Sequence, residues 1–139
     1  MVADRIAAAG MVLAIEPTSA SRLPTFLIHH IAEVRQIIGP DLHPGLKLMF
    51  DTAHIHEMDG DPVAAYRSVQ DITTDIVQFA NVRNRLEPGS GETDFTAFFQ
   101  CLAAEDFSGL IELEYYVRDD TATAERDALQ ALAAIIANL

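Results

Sequence analysis

Four oxygen-bearing side chains stand at or near the ends of four short apolar runs. Glu16 closes Met11-Val-Leu-Ala-Ile-Glu16, and Asp51 closes Leu46-Lys-Leu-Met-Phe-Asp51. Gln78 lies in Asp75-Ile-Val-Gln-Phe-Ala80, and Glu114 in Leu110-Ile-Glu-Leu-Glu-Tyr-Tyr116. Three carboxylates and an amide oxygen brought to one point repel one another unless protons or a cation intervene. An all-oxygen donor set suits an octahedral ion such as Mg²⁺ or Mn²⁺, whereas structural zinc favours His and Cys. The expected cofactor is therefore a divalent metal, with Glu16, Asp51, Gln78 and Glu114 as its ligands. Any one of the four alone is more simply a helix N-cap or a solvated loop residue; their recurrence in successive segments argues for the metal.

A cation flanked by carboxylates matches a definite chemistry. Isomerising an α-hydroxy carbonyl compound means removing a weakly acidic C–H proton and stabilising the resulting enediolate. A cation on both oxygens lowers that barrier, and two carboxylates can act as base and acid. His54, three residues after Asp51, could hold or protonate the second oxygen; the simpler alternative is a histidine capping the loop after that run.

The elements that must position these groups follow a βαβα rhythm. The apolar runs read as strands at about 11–16, 46–51, 75–80 and 110–116, bounded by polar residues rather than hairpin turns. Gly10 closes a short Ala-rich helix before the first strand. Between strands, Phe26, Leu27, Ile31, Val34, Ile37 and Ile38 recur at helical spacing, which predicts a helix over 25–38 ended by Gly39-Pro40. Asp61-Pro62 opens the next helix as N-cap and first helical residue. Thr93 or Asp94 caps the third, and residues 121–138 form the last. The polar stretch 81–93 exceeds the ~2–6 residues usual for such a connection and is expected to be a functional loop.

Crossovers of this length require parallel strands, which fixes the class as α/β. Residues 1–139 are expected to form one domain, because 139 residues with half of them apolar supply one core rather than two. Glu112 shares a strand face with Glu114, and Lys47 with Asp51. Both would lie roughly 7–13 Å deeper at ~3.3 Å per residue, where an internal Lys47–Glu112 ion pair is expected.

Composition excludes several functions. Twenty-one acidic against nine basic side chains give a formal charge of −12, which repels nucleic-acid phosphates and anionic membranes. Cys101 is the single cysteine, so no intrachain disulfide forms and a reducing cytoplasm fits. Residues 1–10 lack a continuous apolar core, and no segment approaches the ~18 apolar residues of a membrane span, so a soluble, unexported protein is expected.

Ile15-Glu-Pro17, Phe50-Asp-Thr-Ala-His54, Leu113-Glu-Tyr115 and above all the run from Gln78 through Arg85-Leu-Glu-Pro-Gly-Ser-Gly-Glu92 resemble the hydroxypyruvate isomerase group of the xylose isomerase-like barrel superfamily. The resemblance covers essentially the whole chain but only the second half of that fold, which has eight βα units in about 250 residues. It implies half of a (β/α)₈ TIM barrel whose four strands correspond to the fifth to eighth there. It also implies that Glu16 and Glu114 exchange protons with the substrate while binding metal, and that His54 and Arg85 contact a sugar or hydroxy-keto acid. His56 and Glu112 depart from that group, standing where glutamine and a small residue are usual.

The function expected is thus a metal-dependent isomerase or epimerase working through a metal-stabilised enediolate. The alternatives are a dehydratase of the same superfamily and a half-barrel that binds metal without catalysis. An endonuclease with several zinc ions would need further His and Asp ligands where the third loop offers Asn84, Arg85 and Leu86. Four parallel strands would leave a face and both edges bare, so a homodimer closing the barrel about a two-fold axis is expected.

Overall fold

A computed structural model describes residues 2–119 and 121–139. Strands β1 (Leu13–Ile15), β2 (Leu46–Asp51), β3 (Thr73–Phe79) and β4 (Leu110–Leu113) form one sheet in sequential order, and every neighbouring pair is parallel. Each crossover carries helix: α1 (Val2–Ala8) precedes the sheet, α2 (Ile31–Ile38) joins β1 to β2, and α3 (Thr52–Asp59) and α4 (Pro62–Val69) join β2 to β3. Helix α5 (Phe95–Ala104) joins β3 to β4, and α6 (Ala122–Ile136) follows β4. This is the α/β order of parallel strands expected from the βαβα rhythm, and it fits the half-barrel that the resemblance implies.

Alternation along β2 shows how the sheet divides its faces. Leu46, Leu48 and Phe50 are buried under the helices, while Lys47 and Met49 on the other face are only half-buried. Val77 and Phe79 of β3 join the same core, with Val34 and Ile38 of α2, Tyr66 and Val69 of α4, and Phe98, Phe99 and Leu102 of α5. Aromatic rings knit this layer: Phe98 lies 5.6 Å from Phe50, 5.7 Å from Tyr66 and 5.3 Å from Phe79 between ring centroids. Burying each such side chain contributes roughly 1.5–3 kcal/mol, so this cluster anchors the helices to the sheet on which the strand ends sit.

The face turned away from the helices is open. Val12, Ala14, Lys47, Met49, Thr74 and Ile76 line a shallow hollow there. Both outer strands, β1 and β4, have one unpaired edge, and every residue of β4 is exposed. Among the described residues no helix is long and apolar enough to cross a membrane.

Three expectations need correction. The helix foreseen over 25–38 begins only at Ile31, because the Glu33 carboxylate accepts the backbone N–H groups of His29 and His30 at 2.8 Å each and sets the first turn there. Residues 18 and 28 are instead tied by a Thr18 N–H donation to the Ile28 carbonyl. Helix α3 was not foreseen: Thr52, Ala53, His54 and Ile55 are all buried in succession, so it shows no amphipathic period. Finally, no ion pair joins Lys47 and Glu112 among the described residues. Lys47 donates to the Asp71 carbonyl at 3.1 Å, and Glu112 is level with Gln78 in the ladder, accepting from its amide at 3.0 Å.

Candidate functional site

The polar strand ends are held by ordinary local devices. β1 ends at Ile15 and Pro17 stands two residues on, so the chain has left the ladder at Glu16. Asp51 ends β2 and caps α3, its Oδ1 accepting the His54 backbone N–H at 2.9 Å. This cap lays the first turn of α3 over the end of β2 and brings the His54 imidazole back beside the carboxylate. One ligand atom from each of Glu16, Asp51 and His54 falls within 4.8 Å of the others.

Arg85 completes the cluster from the third loop. Its Nη2 lies 2.7 Å from Asp51 Oδ2 and 3.0 Å from Glu114 Oε2, and donates to the Glu114 carbonyl at 3.0 Å. Its Nη1 sits 2.9 Å from His54 Nε2. The loop reaches this position through three successive residues at positive φ, Arg83, Asn84 and Arg85, a conformation that costs roughly 1–2 kcal/mol per residue for a side chain. Flanking bonds hold it: Asn81 N–H donates to the Leu86 carbonyl at 3.0 Å, and Tyr116 N–H to the Arg85 carbonyl at 2.6 Å. Asn81 further accepts Thr93 N–H and donates to the Glu87 carbonyl, so the glycine-containing 87–93 stretch is pinned to the end of β3. A Cβ at Gly91 would sit 2.6 Å from Asn81 Cγ, which requires glycine there.

Electrostatics follow from this crowding. Burial, then repulsion from Asp51 and Glu114, pushes the Glu16 carboxyl up from 4.5 to about 7, against the pull of Arg85. Burial raises Glu114 too, opposed by Arg85. His54 is pushed down by burial, with Asp51 working the other way. A group titrating near neutrality between carboxylates is suited to proton transfer.

The residues present fit a divalent cation. Gln78 Oε1 is buried without a hydrogen-bond partner, an acceptor whose desolvation is uncompensated in the protein alone. Asp51 and Gln78 are paired in register on adjacent strands, and Asp51 is near enough to Glu16 and Glu114 to raise the proton affinity of both. The donor group within ligand distance includes His54, which the oxygen-only set left aside for substrate, whereas Glu114 is engaged by Arg85.

Two neighbours of the site carry no sequence signal for a role there; of Thr93 and Asp94, it is Asp94 that caps α5. Ser19 is fully buried, with its N–H 3.2 Å and Oγ 3.0 Å from His54 Nδ1, so it positions the imidazole; an isolated serine after a strand has no telling spacing. Thr93 holds His56 Nδ1 at 3.0 Å while accepting Val82 N–H. His29, His30 and His43 bond to Thr18, Asp59 and Asp4 respectively, away from the cluster, as their helix and loop positions imply.

Comparison with known proteins sets this geometry in context. The chain is 41% identical over 91 residues to a Mus musculus protein that carries the name of a hydroxypyruvate isomerase, a match covering 65% of this chain and 31% of that protein. The crystal structure of 3-keto-D-glucoside 4-epimerase from Escherichia coli superposes with a TM-score of 0.82 at 26% identity, over 96% of this chain and 49% of that one. An AP endonuclease of family 2 from Brucella melitensis superposes with a TM-score of 0.79 at 27% identity, over 88% of this chain and 47% of that one. The chain thus spans between 31% and 49% of the length of these relatives. Residues 1–137 match the xylose isomerase-like TIM barrel family, and the sequential parallel strand order is in keeping, so the chain belongs to that family.

Proposed function

We propose that this chain is the metal-holding, proton-transferring half of an isomerase or epimerase acting on a sugar or hydroxy-keto acid, similar to hydroxypyruvate isomerase. The observation that carries the reading is the convergence of Glu16, Asp51 and His54 within 4.8 Å at the C-terminal rim of a parallel sheet, with Arg85 joining Asp51 to Glu114. Glu16, Asp51, Gln78 and Glu114 would hold Mg²⁺ or Mn²⁺, with His54 close enough to exchange for one of them.

A divalent ion bound there would polarise the substrate's adjacent hydroxyl and carbonyl oxygens. The chain's own side chains then supply the proton movements. Glu16, poised near neutrality before the ion binds, takes the proton from the carbon next to the carbonyl. Glu114 returns a proton from across the substrate. Isomerisation results when the proton is returned to the neighbouring carbon, and epimerisation when it is returned to the opposite face of the same carbon. His54 donates to the developing oxyanion, held in place by Ser19, and Arg85 contacts a substrate oxygen.

Two copies of the chain would close the barrel. With strands in sequential parallel order, a two-fold axis along the barrel would set β4 of one copy beside β1 of the other and cover Leu13, Leu110, Ile111 and Leu113, each at least 37% exposed. Closure would also supply the second wall of the substrate pocket. A buried free Cys101 and a net charge of −12 support a reducing cytoplasmic setting without nucleic acid or membrane partners.

The test is proton exchange. The chain, loaded with Mn²⁺ and then with Mg²⁺, is incubated in deuterated water with hydroxypyruvate and a panel of ketoses, and deuterium entry at the α-carbon is followed by NMR. Exchange lost in both Glu16→Gln and Glu114→Gln supports the reading. Metal binding without exchange on any compound assigns the chain to a metal-holding module instead.

A further inference from the structure

The guanidinium of Arg85 occupies the place where a cation is needed. Asp51 is fully buried and both its oxygens are taken, Oδ1 by the His54 backbone N–H and Oδ2 by Arg85 Nη2 at 2.7 Å. A metal ion approaching Asp51 Oδ2 therefore meets Arg85 first. The same Nη2 holds Glu114 Oε2 at 3.0 Å, so one nitrogen bridges two of the four proposed ligands. We propose that Arg85 is a resident counter-ion that neutralises the carboxylate cluster in the metal-free protein and is displaced from Asp51 and Glu114 when a divalent ion binds. This rests on the metal-site reading and adds a competition that the site alone does not imply.

A second observation points the same way. A neutral imidazole has a single acceptor nitrogen, yet His54 Nδ1 faces the Ser19 backbone N–H at 3.2 Å and Nε2 faces Arg85 Nη1 at 2.9 Å, two groups that can only donate. Both bonds cannot be made at once. With Arg85 in place, Nε2 accepts from the guanidinium and the Nδ1 proton goes to Ser19 Oγ at 3.0 Å, which leaves the Ser19 backbone N–H without that acceptor. Departure of Arg85 frees Nε2 to carry the proton toward Glu16 Oε1, 3.6 Å away, while Nδ1 keeps Ser19. The backbone has no need to move, because the Arg85 carbonyl remains bonded to Tyr116 N–H and only the long side chain swings.

The prediction is read in metal affinity rather than turnover. Mn²⁺ is titrated into the wild-type chain and into Arg85→Gln, with free ion followed by electron paramagnetic resonance. The variant is expected to bind at least about tenfold more tightly, since the ion no longer breaks a charge-assisted hydrogen bond. Equal or weaker binding by the variant, beside measurable binding by wild type, overturns the proposal and leaves the metal site standing. No binding by either chain overturns both. As a check independent of the variant's folding, arginine side-chain ¹⁵N resonances of the wild type are recorded with and without saturating Mg²⁺. Loss of restrained Arg85 Nη rotation is expected, and an unchanged, still-anchored guanidinium contradicts the displacement.

Discussion

Replacing Asp51 by asparagine isolates the charge on which the cluster turns. Asparagine caps a helix about as well as aspartate, so the bond to His54 N–H and the start of α3 survive. What is lost is the partner of Arg85 Nη2 at 2.7 Å, between a guanidinium 5% exposed and a carboxylate with no exposure at all. Removing one member of a buried pair costs about 3–5 kcal/mol because the other is left charged and desolvated. Two things place Asp51→Asn at the low end of that range. Glu114, half exposed, still offers Arg85 a carboxylate and a carbonyl, and repulsion between Asp51 and Glu16 disappears. The expected loss is about 3 kcal/mol in urea unfolding of the chelator-treated chain, with Asp51→Ala losing about 1 kcal/mol more for the cap. Because both members of one pair are involved, Asp51→Asn and Arg85→Gln combined should lose less than the sum of the two. A loss under about 1 kcal/mol for Asp51→Asn, or strict additivity, would refute the view that this pair is buried and coupled.

The pH dependence of stability follows from Glu16. Its carboxyl titrates at about 7 in the folded chain against an ordinary 4.5, so between those values the folded state holds a proton that the unfolded state has released. Stability therefore declines as pH rises through this window, and the penalty is complete above it. Glu16→Gln without metal should match wild type at about pH 4 and melt higher than wild type at about pH 8, with solvent around its one-third-exposed side chain moderating the gap. An equal melting difference at both values would contradict the assignment. In the core, Phe98→Ala removes the ring that touches Phe50, Tyr66 and Phe79 and should cost about 3–5 kcal/mol in the same unfolding assay; a loss below about 1 kcal/mol would mean that these rings do not anchor the helices to the sheet. Light scattering on the chain at micromolar concentration should give twice the monomer mass, and a stable monomer would remove the barrel-closing dimer.

The strands were legible in the sequence as short, mostly apolar runs bounded by polar residues; in Leu46 to Phe50 only Lys47, on the open face, interrupts the series. Element ends were less so. β3 begins at Thr73 rather than Asp75: the charged Asp75 reads as a boundary, yet the β-branched Thr73 and Thr74, whose hydroxyls donate to the Val69 and Ile76 carbonyls, belong to the strand. The long polar 81–93 stretch announced a functional loop, but not that three residues would turn left-handed to aim Arg85 at Asp51, because neither Arg83 nor Arg85 is a residue that favours that conformation. The candidate ligands were readable as polar breaks at strand ends. The partners that hold them were not: Ser19 behind His54 and Glu112 beside Gln78 depend on contacts across 34 or more residues that no local pattern encodes.

Metal analysis by mass spectrometry on the chain purified without chelator probes the central claim most directly, with Glu114→Gln measured in parallel. The account predicts one divalent ion per chain, lost or strongly depleted in the variant. Protein free of any stoichiometric divalent ion, even after incubation with Mn²⁺ and removal of the excess, would contradict it.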